Sequence, residues 1–70
     1  MRGKVKFFNQ SKGYGFIVGD DGKDYFLHRT NINPSVMIDG RFDLTPSDVV
    51  DFEPGKNERG LIAVDLRKVS

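Results

Sequence analysis

Lys12-Gly13-Tyr14-Gly15-Phe16-Ile17 sets two aromatic residues two positions apart, with glycines between and beside them and a lysine in front. In an extended strand, residues two apart share a face, so Tyr14 and Phe16 point one way and Gly13, Gly15 and Ile17 the other. The stretch alone does not say which face is buried. The run Asp24 to His28 does, because alternation there opposes Tyr25 and Leu27 to Phe26 and His28. An apolar interior accepts Leu27 with Tyr25 more readily than a face that ends in histidine. Phe26 and His28 therefore face outward. Strands about 5 Å apart then gather Tyr14, Phe16, Phe26 and His28 into one exposed patch. The inner face of the quoted stretch is thin, with Ile17 beside two glycines, which suits a sharply bent barrel strand. For Phe16 or Phe26 singly, a place in the core is the better reading. For the whole set, with a histidine and lysines among the rings, exposure for use is better.

The rest of the chain supplies the other strands. Gly3 to Asn9 mixes β-branched and aromatic residues with lysines, and Asn9 to Gly13 follows as a turn. Strict alternation there turns Val5 and Phe7 inward and Lys4, Lys6 and Phe8 outward. A β-bulge near Phe7 would instead bring both phenylalanines to the ring-bearing side. Gly19-Asp20-Asp21-Gly22 predicts a hairpin turn, so strands at Tyr14 to Val18 and Asp24 to His28 complete a meander. Arg29 to Phe42 predicts a long loop with a helical turn near Thr30 to Asn33, and Val36, Met37 and Ile38 cover the open end of the core. A protruding contact loop is the second reading of that segment, since loops of this length are often functional. Asp48 to Glu53 is a fourth strand and Pro54 to Gly60 a polar turn. The fifth, Leu61 to Arg67, carries Ile62, Val64 and Leu66 on one side. Five short strands without a useful helix predict an all-β fold, a small closed antiparallel barrel, because closure removes exposed edges.

Composition narrows the function. Seventy residues make a single domain over 1–70, near the lower limit for folding unaided, and the chain has no cysteine and one histidine, His28. Disulfides, thiolate metal sites and a histidine cluster are excluded, so no metal is expected, and a reducing compartment fits. The charged start offers neither a secretory signal nor a membrane span, which makes a soluble cytoplasmic protein the expectation. Charge is unevenly spread. Through Ile32, Arg2, Lys4, Lys6, Lys12, Lys23 and Arg29 outnumber Asp20, Asp21 and Asp24; from Asn33 onward acidic residues outnumber basic ones. The basic half is also the half with the exposed rings, the footprint expected of a nucleic-acid binder. For any one lysine, ordinary solvation is the better reading.

Gly3-Lys4-Val5-Lys6-Phe7-Phe8-Asn9, Lys12 to Ile17 and Tyr25-Phe26-Leu27-His28 together resemble the cold-shock domain. The second and third segments are similar to its two ribonucleoprotein motifs, in order and in spacing. A weaker similarity runs through Asp51-Phe52-Glu53 and Asn57-Glu58-Arg59-Gly60 to the end of the chain. The resemblance implies a five-stranded oligonucleotide-binding (OB-fold) barrel that takes single-stranded RNA or DNA without a cofactor, as an RNA chaperone or a regulator of transcription or translation. By position it implies stacking by Phe7, Phe8, Tyr14, Phe16, Phe26 and His28, supported by Lys6, Asn9 and Lys12. Three departures stand out. Phe7 replaces the family's usual tryptophan, Arg29 stands where an aromatic is common, and the loop from Asn33 to Phe42 is a few residues longer, with Phe42 as the replacement for the family's loop aromatic. Arg29 keeps the ability to stack through its guanidinium plane and adds charge.

Two other classes of function compete. A protein-interaction module would use the same patch or the loop against another protein; its binding would tolerate salt, whereas nucleic-acid binding would not. An enzyme is disfavoured. His28 has no cysteine near it and no evident serine or acid partner in sequence, and Gly13-Tyr14-Gly15 does not continue into a dinucleotide fingerprint, since Val18 occupies the third glycine position. A monomer with no cofactor is the expected state.

Overall fold

A computed structural model of the chain describes residues 1–69. Strands β1 (Arg2–Asn9), β2 (Tyr14–Gly19) and β3 (Asp24–His28) form the predicted antiparallel meander. The β2–β3 turn closes where Gly22 donates its N–H to the Gly19 carbonyl at 2.9 Å, with Gly22 at φ +79°. The chain then crosses one end of the sheet through two 3₁₀ turns, Arg29–Asn31 and Pro34–Val36. A miniature hairpin follows, β4 (Met37–Ile38) against β5 (Arg41–Phe42). Two long strands complete the fold, β6 (Val49–Asn57) and β7 (Gly60–Lys68). The order β1-β2-β3-β7-β6 closes on itself through β6 and β1. This is the all-β, five-stranded OB-type barrel expected. Its seams are antiparallel except β3–β7, which meets in parallel at Phe26 and Ile62. A ring of five strands cannot alternate direction all the way round, so one parallel seam is a necessity of the odd number.

The interior is built from alternate residues of every strand: Val5, Ile17, Tyr25 and Leu27, then Val50, Phe52, Ala63 and Leu66. Ile32, Val36 and Leu44 close the end under the crossing segment. Tyr25 and Leu27 lie inward and Phe26 and His28 outward, as alternation in an unbroken strand requires.

Alternation fails where a strand gains a residue. In β1 the register passes from Val5 opposite Ile17 directly to Phe7 opposite Phe16, which leaves Lys6 as the extra residue of a bulge. From there the faces are exchanged. Phe7 turns outward, while Phe8, opposite the buried Gly15, packs against the core. Of the two phenylalanines expected on the ring-bearing side with a bulge, one arrives. A second irregularity, between Asp51 and Glu53 opposite β7, accompanies a positive φ of 51° at Asp65. It overturns the expectation that Ile62, Val64 and Leu66 share a side. Ala63 and Leu66 are core residues, and Ile62 and Val64 lie half-buried on the other face across from Gly55.

The long loop also differs in detail. The helical turn sits at Arg29–Asn31, and of Val36, Met37 and Ile38 only Val36 covers the core; Met37 and Ile38 are 41% and 52% exposed. The polar turn expected from Pro54 shrinks to Asn57–Gly60, because β6 continues through Pro54, Gly55 and Lys56. Pro54 is tolerated there because β1 pairs only with Val49 to Asp51, leaving that edge of β6 without a neighbour that needs its N–H. No helix among the described residues is long and apolar enough to cross a membrane.

One ion-pair cluster ties the barrel's closing segment. Lys68 Nζ reaches Asp43 Oδ2 at 2.9 Å and Asp48 Oδ2 at 3.3 Å. The Asp43 hydrogen bond raises Lys68 above its ordinary value, and the Thr45 backbone N–H holds Asp48 below its own. Asp21, bonded to the Tyr25 hydroxyl, and Asp65, bonded to the Asn33 amide, are lowered likewise. A carboxylate depressed in the folded state stabilises above its ordinary value and ceases to as pH falls through the depressed one. The thermal midpoint should therefore hold steady from about pH 5 to neutrality and decline below about pH 4. In Asp48→Asn the gap from the parent protein should narrow along that acid limb; a constant gap in a pH series of melts would refute the assignment. A Cβ at Gly15 would overlap the Phe7 carbonyl oxygen and sit 2.8 Å from Phe8 Cα. Gly15→Ala should cost more than about 2 kcal/mol in urea unfolding.

Candidate nucleic-acid interface

The outward positions of β1, β2 and β3 carry Phe7, Tyr14, Phe16, Phe26 and His28. Tyr14 lies opposite His28, and Phe16 lies between Phe7 on one neighbour and Phe26 on the other. The rings support one another sideways. Phe7 meets Phe16 at 5.8 Å and Tyr14 at 6.4 Å between centroids. Phe16 meets Phe26 edge-on at 5.6 Å, Tyr14 stacks on Phe26 at 5.9 Å, and Phe26 lies 6.5 Å from His28. Such pairs add about 0.5–1.5 kcal/mol each beyond area burial, so the cluster holds its own shape while one side stays open to solvent. Phe7 is the most open, at 41%.

His28 is oriented from beneath. The Thr30 N–H donates to its Nδ1 at 3.3 Å, and the Thr30 hydroxyl lies 2.9 Å from the same nitrogen. This contact also caps the 3₁₀ turn that follows. With Nδ1 accepting, the neutral ring keeps its proton on Nε2, the nitrogen turned away from Thr30. Arg29 begins that turn; its N–H donates to the Gly13 carbonyl at 2.8 Å. Its stem lies over Gly13, where a Cβ would come within 2.8 Å of Arg29 Cδ. Gly13 also has φ +74°, so the position favours glycine twice over. Arg29 thus stands at the Tyr14–His28 end of the β2–β3 pair.

The other expected site residues are divided. Lys12 is exposed at the β1–β2 turn, and neither it nor Arg29 has an ion pair among the described residues. Lys6, on the bulge, pairs with Asp24 at 3.3 Å. Asn9 shapes the turn: its Oδ1 accepts from the Lys12 N–H at 2.9 Å and its carbonyl from the Gly13 N–H at 2.8 Å. Phe8 and Phe42 stand apart from the five rings. They meet edge-on at 5.5 Å at the open end of the barrel, half-buried against the core. Ile62 was not expected here. The parallel seam sets it beside Phe26, where its half-buried side chain extends the apolar face onto β7. Alternation groups it with Leu66, and nothing local in the sequence marks the irregularity that separates the two.

No group of three or more histidine, cysteine or acidic side chains is placed to hold a metal among the described residues. What the arrangement offers is flat aromatic surface with cations at its margin, suited to unpaired bases and their phosphates.

Comparison with known proteins agrees with this geometry. The family model described as 'Cold-shock' DNA-binding domain matches residues 1–69. A cold shock-like protein of Thermotoga maritima is 41% identical over 69 residues, covering 99% of this chain and 98% of that protein. Cold shock protein CspB of Geobacillus stearothermophilus is 41% identical over 69 residues with the same coverage. Cold shock protein 1 of Lactiplantibacillus plantarum is 41% identical over 64 residues, 91% of each chain.

Proposed function

Because the chain belongs to the cold-shock DNA-binding domain family, we propose that it binds single-stranded RNA and DNA by stacking bases on the Phe7, Tyr14, Phe16, Phe26 and His28 face. Lys12 meets the phosphates, Arg29 meets them or stacks its guanidinium beside the bases, and Phe8 and Phe42 take part from the end of the face. What supports the reading is the continuity of that face: five side chains from three strands, braced by one another and partly open to solvent. Each stacked base contributes ~1–3 kcal/mol, and one barrel covers roughly four or more nucleotides. A gross ~4–12 kcal/mol for four bases leaves micromolar or tighter binding after ordering costs. Duplexes hide their base faces and bind poorly. A protein that holds bases apart without turnover is a passive unfolder of RNA structure, and so an RNA chaperone or a regulator of transcription or translation. It acts in this reading as a cytoplasmic monomer.

Phe16→Ala and Phe26→Ala should each weaken binding of a labelled single-stranded oligonucleotide by about 1–3 kcal/mol with the fold retained. Unchanged affinity in both would refute the stacking face. Raising salt from 50 to 200 mM, an interval taken to expose phosphate contacts, should weaken binding steeply. Salt-independent binding would favour the rival reading, in which the exposed Met37 and Ile38 dock another protein.

A further inference from the structure

The hairpin from Met37 to Phe42 is held more firmly than its own strands allow. Its turn, Asp39-Gly40, has positive φ at both residues, 52° and 78°, the geometry of a tight two-residue hairpin. Each strand is only two residues long, and a hairpin of that size is not stable by itself. Its anchor comes from the β1–β2 turn. Gln10 Oε1 accepts from the Phe42 N–H at 3.2 Å, and the Gln10 amide donates to the Phe42 carbonyl. A single side chain thus reproduces the double bond pattern of a neighbouring strand, 32 residues away in sequence. The Asp43 N–H, bonded to the Val36 carbonyl at 2.9 Å, extends the hairpin's ladder by one step.

The anchored residue is the one whose ring meets Phe8 at 5.5 Å. Met37, opposite Phe42 across the hairpin, shares its face and stays 41% exposed. Apolar surface therefore runs from Met37 through Phe42 to Phe8, whose neighbour in β1, Phe7, begins the ring-bearing face.

We propose that Gln10 is a positioning residue, which by gripping both backbone groups of Phe42 presets the hairpin as a fixed end of the base-binding face. A strand that runs past Phe7 then meets the Phe42 and Met37 surface already in place. The inference rests on the stacking function proposed above. Gln10 acts through Phe42 and need not touch the ligand. Without the grip the hairpin spends only part of its time docked, and apparent affinity falls by that fraction. Losing two exposed hydrogen bonds corresponds to a fall of roughly 3–10-fold.

The test is a double-mutant cycle on binding of a labelled oligothymidylate of about eight nucleotides, within the span of a single barrel. Gln10→Ala and Phe42→Ala should each bind roughly 3–10-fold more weakly, and the double variant no more weakly than Phe42→Ala alone. Gln10→Glu, which keeps the acceptor but sets a carboxylate against the Phe42 carbonyl, should behave like Gln10→Ala. Amide exchange at Phe42 should quicken in Gln10→Ala while that at Phe26 does not. Additive losses in the cycle, or parent-like affinity in Gln10→Ala, would overturn the positioning role while leaving the stacking face standing. A parent protein that binds no oligonucleotide would overturn the function itself.

Discussion

At Lys6 the first strand carries one residue more than its neighbour, and the ring-bearing face depends on that surplus. Without it Phe7 would stand opposite Gly15 and point inward, Lys6 would stand beside Phe16, and the ring cluster would lose its β1 member. With it, Phe7 joins Phe16, and Phe8 takes over as the residue that covers the core. The cost is close passage of the Phe7–Phe8 peptide over β2, which only a residue without a Cβ permits, and Gly15 occupies that spot. The glycine in the middle of the aromatic motif is thus the other half of the bulge. Five strands closed into a ring bend sharply enough to need such an irregularity, so the barrel and its ring-bearing face arise from one solution.

The face differs from a loose collection of exposed rings in being braced. Every ring among Phe7, Tyr14, Phe16, Phe26 and His28 lies within 6.5 Å, centroid to centroid, of another in the set. Side chains fixed by one another lose little further freedom when a base settles on them, which removes part of the entropic cost of binding. Gln10 does the same for a segment of backbone. In the proposed function both devices would place the cost of order in folding rather than in recognition.

Much of this was legible in the sequence, and the misses share a physical cause. Alternation, with Tyr25 and Leu27 as the more apolar face, sets Phe26 and His28 outward because β3 runs without interruption, and Tyr14 and Phe16 follow from their neighbour. Alternation alone leaves the faces of Phe7 and Phe8 open and groups Ile62 and Val64 with Leu66, because a single inserted residue inverts every position beyond it and periodicity does not fix where it falls. Asp39-Gly40 announced a turn, but strands of two residues are too short to show a period. The grip of Gln10 on Phe42 joins residues far apart in the chain and appears only once the fold has brought them together.

The Lys6–Asp24 ion pair bears on how salt would act on this protein. A phosphate that takes Lys6 must first displace a carboxylate, and that carboxylate is tethered and cannot diffuse away. Set free, Asp24 would gather a cation of its own, recapturing part of what a bound nucleic acid releases. In the proposed function Lys6 would then add attraction at short range while adding little to the dependence of binding on ionic strength, whereas Lys12 and Arg29, without ion pairs among the described residues, would add to both. Counting lysines around the rings would overstate the number of ions exchanged. Asp24 is a built-in counterion to Lys6, and it would make a grip on a phosphate backbone less sensitive to its surroundings than the charge alone implies.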